Sequence, residues 1–360
     1  MHYTAPNQKT AHVVVFYRDF KDYGGGDEYG SESGYGRSHR GLGINALMTV
    51  KVLRKHGIHA DIAPVWKRPD VVAALNKYKP THAIIQAPWI SAEDQAWLCH
   101  QFPDVQFVVR VHSQIGFLQV EPNAIKILRD DLFLQEGLLN LAVSANTRRL
   151  AEFVDHTYKS RIVYLPNLYD TDRVRRKRDE SHDHRSLRIG SFGAHRLLKN
   201  HTTALAAAMM IAERRGSDLE FYVNAGRKEG SGGGAIIRAL RLMSDRVPWV
   251  RLKEVGWQEW SEFRQTVAYM DLTMQVSFTE TFNIVTADSV AEGVPAVVSN
   301  AIEWTPARWH ANPDDAADIA RVGSALLWDI HSAEEGIAAL ECYAKNAIQT
   351  WLAYLNSNPT

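Results

Sequence analysis

Two carboxylates stand close together in the segment Ser277–Ser299, with Glu280 just after a short apolar run and Asp288 eight residues further on. The apolar run predicts a buried strand, and a helix is expected to begin near residues 281–283. The free N–H groups at such a helix start attract anions. Because eight residues are about two helical turns, we expect both carboxylates to project to the same side and accept hydrogen bonds from hydroxyl groups.

Two cations follow a glycine turn earlier in the chain. The segment Ile189–Asn200 begins with apolar residues, turns at Gly193 and then presents Arg196 and Lys199 before a predicted helix. The guanidinium group offers a planar fork of donors and the ammonium group a compact charge, which together suit the oxygen atoms of a diphosphate. Taken alone, two such cations are more often solvated surface charges. In this pattern they predict a site that could bind phosphate oxygens.

A glycine-dense loop runs from Tyr23 to Gly41, after the first predicted strand. Glycines such as Gly25 and Gly26 let backbone N–H groups approach a phosphate or a sugar closely. The loop has neither a Walker sequence nor the Gly-x-Gly-x-x-Gly spacing. Its aromatic side chains could stack on an acceptor, and an ordinary surface loop explains the pattern equally well; they are Tyr23, Tyr29 and Tyr35.

His112 directly follows the apolar run 105–111, which predicts a buried strand. Open α/β sheets place ligand-contacting groups at the carboxyl ends of their strands. A single histidine is more often a structural residue, and this position makes ligand contact an equal alternative.

The elements that position these residues follow an alternating pattern. Short runs rich in Val and Ile alternate with segments of helical periodicity, which is typical of parallel strands joined by helices. Strands are predicted at residues 13–16, 58–63, 83–86, 105–111 and 141–144, and again at 187–192, 219–224, 250–252, 272–276 and 296–299. Amphipathic helices are predicted at 45–56 and 333–355. The charged stretch 169–188 cannot supply a core strand and is interpreted as a linker between two α/β domains.

The segment around Glu280 resembles the nucleotide-sugar signature of retaining GT-B glycosyltransferases of the family-4 type. In that signature a Glu, seven residues and a second Glu lead into Ala-x-Gly-x-Pro. Gly293 and Pro295 match it, whereas Asp288 replaces the second Glu and Asn283 replaces a usual Gly. Because Asp is one methylene shorter than Glu, the geometry or the preference for the donor could differ.

Other segments are similar to the same family. Gly193, Arg196 and Lys199 resemble its diphosphate clamp, and His112 resembles the histidine of its strand-terminal Val-His-Asp element, with Ser113 in place of the Asp. The family role of that histidine lies near the donor sugar. Two further elements resemble those that close the first domain of the family, Ser144–Thr147 and Pro166–Asp170.

The resemblance implies an α/β GT-B fold, with two Rossmann-like domains facing a central cleft. Residues 1–168 would form the acceptor-side domain, with the C-terminal helix 333–355 packing back on it. Residues 169–188 would form the charged linker, and residues 189–332 would form the domain that binds the nucleotide sugar.

The resemblance also implies an activity: transfer of a hexose or pentose from a nucleotide-diphosphate sugar to an unidentified hydroxyl acceptor, with retention of configuration. The acceptor could be a small molecule, a glycan or modified DNA. Catalytic roles would fall to Arg196, Lys199, Glu280 and His112. Substrate contacts, including the ribose contact of Asp288, would come from Gly25, Gly26, Gly193, Thr281, Phe282, Asn283, Ile284 and Asp288. The donor is a substrate, and neither a cofactor nor a metal ion is expected.

Composition narrows the class of protein. The 360 residues suffice for about two domains, and the 41 basic side chains balance the 41 acidic ones, which excludes a polycationic molecule. Only Cys99 and Cys342 are present, so a disulfide framework is excluded and a cytoplasmic location is expected. No apolar run reaches the roughly 20 residues of a membrane span, although an amphipathic face leaves peripheral membrane contact open.

The sequence gives little support for a metal site, a serine-nucleophile motif or a nucleic-acid site. No H-E-x-x-H or similar spacing makes a metal set of the four histidines considered, which are His82, His100, His182 and His184. No Gly-x-Ser-x-Gly motif is present either. The basic run 173–178 alternates with acidic residues, which favours a solvated linker over a nucleic-acid site. Three alternatives stay open: a nucleotide-sugar epimerase, a non-catalytic protein that binds sugar nucleotides, and a DNA-modifying glycosyltransferase that acts on hydroxymethylated bases. The basic run and the Tyr-rich loop would matter for the last.

Overall fold

The computed structural model describes residues 11–18, 41–119, 124–172, 186–224 and 233–357. These residues divide into two compact units. The first unit comprises the described residues up to Asp170 and those from Asn346 onward, and the second comprises those from Thr171 to Lys345. Within the described ranges, no helix is both long enough and apolar enough to cross a membrane.

The first unit is built on a parallel sheet. Its described strands are β1 (His12–Arg18), β2 (His59–Val65), β3 (His82–Gln86), β4 (Gln106–Val111), β5 (Leu141–Ala145) and β6 (Val163–Tyr164). Their order across the sheet is β2-β1-β3-β4-β5-β6, and each neighbouring pair is parallel. The strand order therefore reverses direction at β1 and β3, which makes this point a topological switch.

Helices provide the crossovers that parallel strands require. In the first unit they are α1 (Gly41–Lys55), α2 (Arg68–Tyr78), α3 (Ala92–Gln101), the short α4 (Ile115–Leu118), α5 (Ala124–Glu136) and α6 (Arg148–Tyr158). The central strands are covered on both faces, so their residues are buried without alternation: 13–16, 83–85 and 107–109 are all at most 1% exposed. That burial explains why these strands appear as continuous apolar runs in the sequence.

The second unit is built on another parallel sheet. Its described strands are β7 (Ser186–Gly190), β8 (Asp218–Asn224), β9 (Val250–Val255), β10 (Leu272–Gln275) and β11 (Ala296–Val298), in the order β11-β10-β7-β8-β9. Its helices are α7 (His201–Arg215), α8 (Gly233–Ser244), α9 (Trp260–Ala268), α10 (Ile284–Ala291) and α11 (Ala316–Trp328), with 3-10 turns at Leu197–Lys199 and Ala307–Trp309. The topological switch lies between β7 and β10.

The last helix, α12 (Ser332–Asn356), contributes to both units, since the division falls between Lys345 and Asn346. In the second unit, Gly336 lies against Trp309 so closely that a Cβ atom would stand 2.2 Å from the indole ring. In the first unit, Trp351 is fully buried and its indole N–H donates to the carbonyl of Pro166 at 2.8 Å. Each half of the helix is therefore fixed by a buried tryptophan.

Every strand predicted from the sequence is present, with ends that differ by at most three residues. The predicted helices at 45–56 and 333–355 correspond to α1 and α12. Strand β6 was missed, because two residues are too short a segment to show periodicity.

The predicted linker 169–188 is too long at both ends. Asp170 is buried and forms ion pairs with Lys51 and Lys55 of α1, and β7 already begins at Ser186. The sequence did not reveal the burial of Asp170, because a charged residue is normally expected at the surface and its two lysine partners lie far away in the chain. The basic run 173–178 lies outside the described residues.

Candidate functional site

The switch point of the second sheet brings two predicted segments together. Strands β7 and β10 are hydrogen-bonded neighbours, with Ile189 beside Leu272 and Gly190 beside Thr273. Because the strands are parallel, the turn at Gly193 and the turn at Glu280 both leave the carboxyl edge of the sheet. Open α/β sheets bind their ligands in the crevice at this edge.

The glycine turn supports the cation that follows it. Gly193 has a φ of +117°, a region that favours glycine, and its N–H donates to Asn224 Oδ1 at 2.8 Å. A Cβ atom at this position would lie 3.5 Å from Cε of Lys199. The lysine side chain therefore lies directly over the turn.

Asn200 ties the cation turn to the loop after β10. It has a left-handed φ of +58°, and its amide N–H group donates to the carbonyl of Val276 at 3.1 Å. The loops also meet through the backbone, where the N–H of Phe278 donates to the carbonyl of Leu198 at 2.9 Å. These bonds hold Lys199 and Glu280 in a fixed relation.

Lys199 and Glu280 form an ion pair whose side chains are only 11% and 9% exposed. Burial by itself raises the pKa of Glu280, but the positive charges of Lys199 and Arg196 outweigh it and hold the pKa below its ordinary value. Glu280 is therefore an anion at neutral pH. The predicted acid and the two predicted cations form one electrostatic group.

Helix α10 begins at Ile284, with Asn283 as its N-cap. Asn283 has a φ of +53°, and its Oδ1 accepts the N–H of Thr286 at 2.9 Å. Asparagine tolerates this left-handed conformation better than other non-glycine residues, which explains why it stands where the family signature usually has Gly. Glu280 thus precedes the helix, and the expectation that it lies two helical turns from Asp288 was wrong.

Asp288 lies inside α10 and is only 1% exposed. Its Oδ2 accepts a hydrogen bond at 3.0 Å from the indole N–H of Trp260, the first residue of α9. The indole thereby fixes the orientation of the carboxylate. Trp260 is not recognisable from the sequence as part of the site, since nothing in its neighbourhood identifies a partner 28 residues away.

The predicted substrate contacts around the start of α10 differ in character. The side chain of Phe282 is 3% exposed and stacks on Tyr343 at 4.9 Å between ring centroids, and its carbonyl accepts the indole N–H of Trp304. This packing makes the side chain of Phe282 part of the core beside the helix start. Thr281 and Ile284 are partly exposed at the helix start.

His112 lies in the first unit, directly after β4, as predicted. Its Nε2 donates to Oε1 of the buried Gln86 at 2.5 Å. Burial, together with the positive charge of Arg110, holds the pKa of His112 well below its ordinary value. The ring is therefore neutral at physiological pH and offers hydrogen bonds without a charge.

Arg110 organises the carboxyl edge of the first sheet and was missed by the sequence analysis. It is fully buried, and its guanidinium group donates to five oxygen atoms. The acceptors are Asn45 Oδ1, Gln86 Oε1, the carbonyls of Leu165 and Pro166, and Asn167 Oδ1, at 3.0 to 3.3 Å. The Pro-Asn element thus has an architectural role. The predicted contacts Gly25 and Gly26 lie outside the described residues.

Comparison with known proteins gives structural similarity alone. No protein-family model matches the sequence. No curated protein matches it either.

Several solved structures are similar in fold. Sucrose-phosphate synthase from Thermosynechococcus elongatus has a TM-score of 0.67 and 14% identity, over 96% of this chain and 98% of that one. A variant of S. aureus TarM in complex with UDP has a TM-score of 0.59 and 14% identity, over 81% of this chain and only 59% of that one. A trehalose-6-phosphate synthase, studied for glycosyl transfer with retention, has a TM-score of 0.55 and 12% identity, over 80% of this chain and 77% of that one.

These neighbours are glycosyltransferases whose fold consists of two Rossmann-like domains. The parallel sheets and switch points of this chain follow the same plan. At such low identity the likeness establishes architecture only, and on that basis the chain has the α/β GT-B glycosyltransferase fold, with two Rossmann-like units.

Proposed function

We propose that the protein is a retaining glycosyltransferase that transfers a sugar from a nucleotide-diphosphate sugar to a hydroxyl acceptor. The observation that carries the proposal is the nearly buried Lys199–Glu280 pair at the switch point of the second sheet. A buried ion pair adds little to stability by itself. Its position at a ligand-binding edge favours a functional role.

The two cations would stabilise the leaving diphosphate. Negative charge grows on the β-phosphate as the glycosidic bond breaks, and Arg196 and Lys199 would lie beside it. The Gly193 turn allows the phosphate to approach the backbone, and the N-terminus of α10 would add its dipole. These groups would carry out the charge stabilisation without a metal ion.

Glu280 would hold the hydroxyl groups of the donor sugar. Its lowered pKa keeps it an acceptor at neutral pH, and the pairing with Lys199 fixes its direction. A sugar hydroxyl and a diphosphate would thus be bound by the two members of one ion pair. This coupling would align the anomeric carbon with its leaving group.

Asp288 would accept hydrogen bonds from the ribose. The indole of Trp260 already holds Oδ2, which orients the shorter side chain that replaces the family's Glu. The neutral His112 offers a hydrogen bond without a charge, and for it we retain the role that the resemblance to the family implies.

The comparisons support this proposal at the level of architecture. The TarM variant was solved in complex with UDP, and the trehalose-6-phosphate synthase was studied as an enzyme that transfers a glycosyl group with retention. The match to the family-4 signature through Gly293 and Pro295 adds sequence support for retention.

A thermal-shift panel of nucleotide sugars tests the proposal. A ligand at 100 times its dissociation constant stabilises the folded state by about 2.7 kcal/mol, which raises the melting temperature measurably. The donor found in this way is then incubated with and without sugar acceptors, and the anomeric configuration of the products is determined by NMR. A transferred or hydrolysed sugar with retained configuration supports the proposal.

Three outcomes contradict it. Conversion of the donor to another sugar nucleotide, without acceptor, identifies an epimerase. Binding without turnover under all conditions identifies a binding protein. An inverted product contradicts retention.

A further inference from the structure

Three metal-ligating side chains meet at the amino end of the first sheet. His12 begins β1 and His59 begins β2, and the two residues are register partners across this parallel pair. Asp61 lies two residues after His59 on the same strand. Because side chains alternate along a strand, residues 59 and 61 project from the same face of the sheet, and so does the partner of residue 59.

The distances within the cluster match those between neighbouring ligands of one metal ion. Nε2 of His12 is 2.9 Å and Nε2 of His59 is 3.4 Å from the same carboxylate oxygen, Asp61 Oδ2. Two ligand atoms about 2.0 to 2.1 Å from a zinc ion at tetrahedral angles lie about 3.3 Å apart. The imidazole rings are stacked at 3.8 Å between centroids, with an interplanar angle of 8°. Both rings therefore present their Nε2 atoms to the same side.

The surroundings hold the cluster in place. The second oxygen of Asp61 accepts a hydrogen bond at 3.0 Å from Arg54 of α1, whose Nε atom also donates to the carbonyl of Ala60. The backbone N–H of His12 donates to Thr81 Oγ1 at 2.9 Å. Protein metal sites commonly use such partners to orient a ligating carboxylate, which leaves the other oxygen for the ion.

We propose that His12, His59 and Asp61 form a site for a divalent transition-metal ion, with zinc as the best fit to two imidazoles and one carboxylate. Water would complete the coordination. The cluster lies at the amino ends of β1 and β2, whereas His112 follows the carboxyl end of β4. The ion would therefore join the edge strand β2 to β1 and stabilise the first unit, without taking part in the proposed sugar transfer.

Isothermal titration of the tag-free full chain with zinc chloride tests this site, together with cobalt(II) absorption spectra that report tetrahedral coordination. We expect one ion per chain and a rise in melting temperature with zinc. The variant His59→Ala changes a side chain that is 67% exposed at the sheet edge, so folding is expected to persist. It should weaken zinc binding by more than roughly 100-fold, since even a supporting partner costs roughly 10- to 100-fold.

The matched control is His156→Ala, which removes an exposed histidine on α6, away from the cluster. It should bind zinc as the unchanged protein does. Absence of zinc binding by the unchanged protein overturns the proposal. Equal loss of binding in both histidine variants, or unchanged binding in His59→Ala, overturns it as well.

Discussion

Two nearly buried carboxylates, one in each unit, differ in their partners and in their pKa. Glu280 pairs with Lys199 and lies near Arg196, and its pKa is held below the ordinary value in spite of burial. Asp131 on α5 is 1% exposed and accepts one hydrogen bond from the neutral Gln95, at 2.9 Å. Burial raises its pKa to about 7.

The difference shows when a nearly buried carboxylate keeps the negative charge that it needs to bind a ligand. Burial disfavours charge at both positions, and only positive neighbours can reverse that effect. Among the described residues, Asp131 Oδ2 has no hydrogen-bond partner. Glu280 instead stands at the carboxyl edge of its sheet, with its charge maintained. The candidate site is thus recognised by its neighbours rather than by burial.

The largest expected effect concerns the rate of sugar transfer. Glu280→Gln and Lys199→Met each remove one charge from the pair, and the loss of charge-assisted bonds in the transition state should cost roughly 2–4 kcal/mol. Turnover should fall by roughly 30- to 1000-fold. Steady-state assays with the donor selected by the thermal-shift panel measure this change. Circular dichroism controls for the fold, and Lys253→Met, at a partly exposed lysine of β9 that pairs with Glu220, serves as the matched control.

The second effect concerns the pH dependence of stability. Since the pKa of Asp131 is raised in the folded state to about 7, the folded protein binds more protons than the unfolded chain between the ordinary pKa of 3.8 and that value. The contribution of Asp131 to stability is therefore lost as pH rises through this range, by up to about 1.4 kcal/mol per pH unit.

Asp131→Asn should remove this contribution and keep the bond from Gln95, so the variant should be more stable than the unchanged protein at pH 8. Urea unfolding at pH 4.5, 6 and 8 measures the difference. If the free energy of unfolding changes with pH in the same way in both proteins, the pKa of Asp131 is not raised in the folded state. That result would contradict the difference between Asp131 and Glu280.

A smaller effect is expected from Trp260→Phe, which removes the indole donor to Asp288 and keeps an aromatic ring. A hydrogen bond to a charged group contributes about 1.5–3 kcal/mol, of which part should appear as weaker binding of the donor. We expect KM to rise while kcat changes little. A fall in kcat with unchanged KM would contradict the ribose role of Asp288.

The smallest effect is expected from a chelator. If Lys199 and Arg196 stabilise the leaving diphosphate, transfer should proceed at the same rate in excess EDTA, measured well below the melting temperature. Loss of activity with recovery on addition of magnesium or manganese would contradict this assignment.

The strand pattern of both sheets could be predicted, because buried parallel strands need continuous apolar runs and helices must join them. The grouping of Gly193, Lys199 and Glu280 at one site was expected from the resemblance to the family, because the sequence alone does not show that the strands before their two turns are neighbours. Asn283 could be understood only with its backbone conformation known. Its left-handed φ is a property of the turn, which the residue type merely permits.

Arg110 and Trp260 could not have been found from the sequence. Arg110 stands within an apolar strand, and its five acceptors come from segments between 24 and 65 residues away. Trp260 meets Asp288 through tertiary packing. Hydrogen bonds of this kind depend on which elements become neighbours, and a local pattern of residue types contains no information about them.

Equilibrium binding of a nucleoside diphosphate tests the central claim most directly. Isothermal titration would compare the unchanged protein with Lys199→Met and Lys253→Met, using the diphosphate of the base selected by the thermal-shift panel and the corresponding nucleoside. We predict that Lys199→Met weakens binding of the diphosphate by roughly 10- to 150-fold, which corresponds to a charged hydrogen bond. Lys199→Met should bind the nucleoside as the unchanged protein does. The control Lys253→Met should bind both ligands with unchanged affinity. Equal affinity of all three proteins for the diphosphate would contradict a donor site at the Lys199–Glu280 pair.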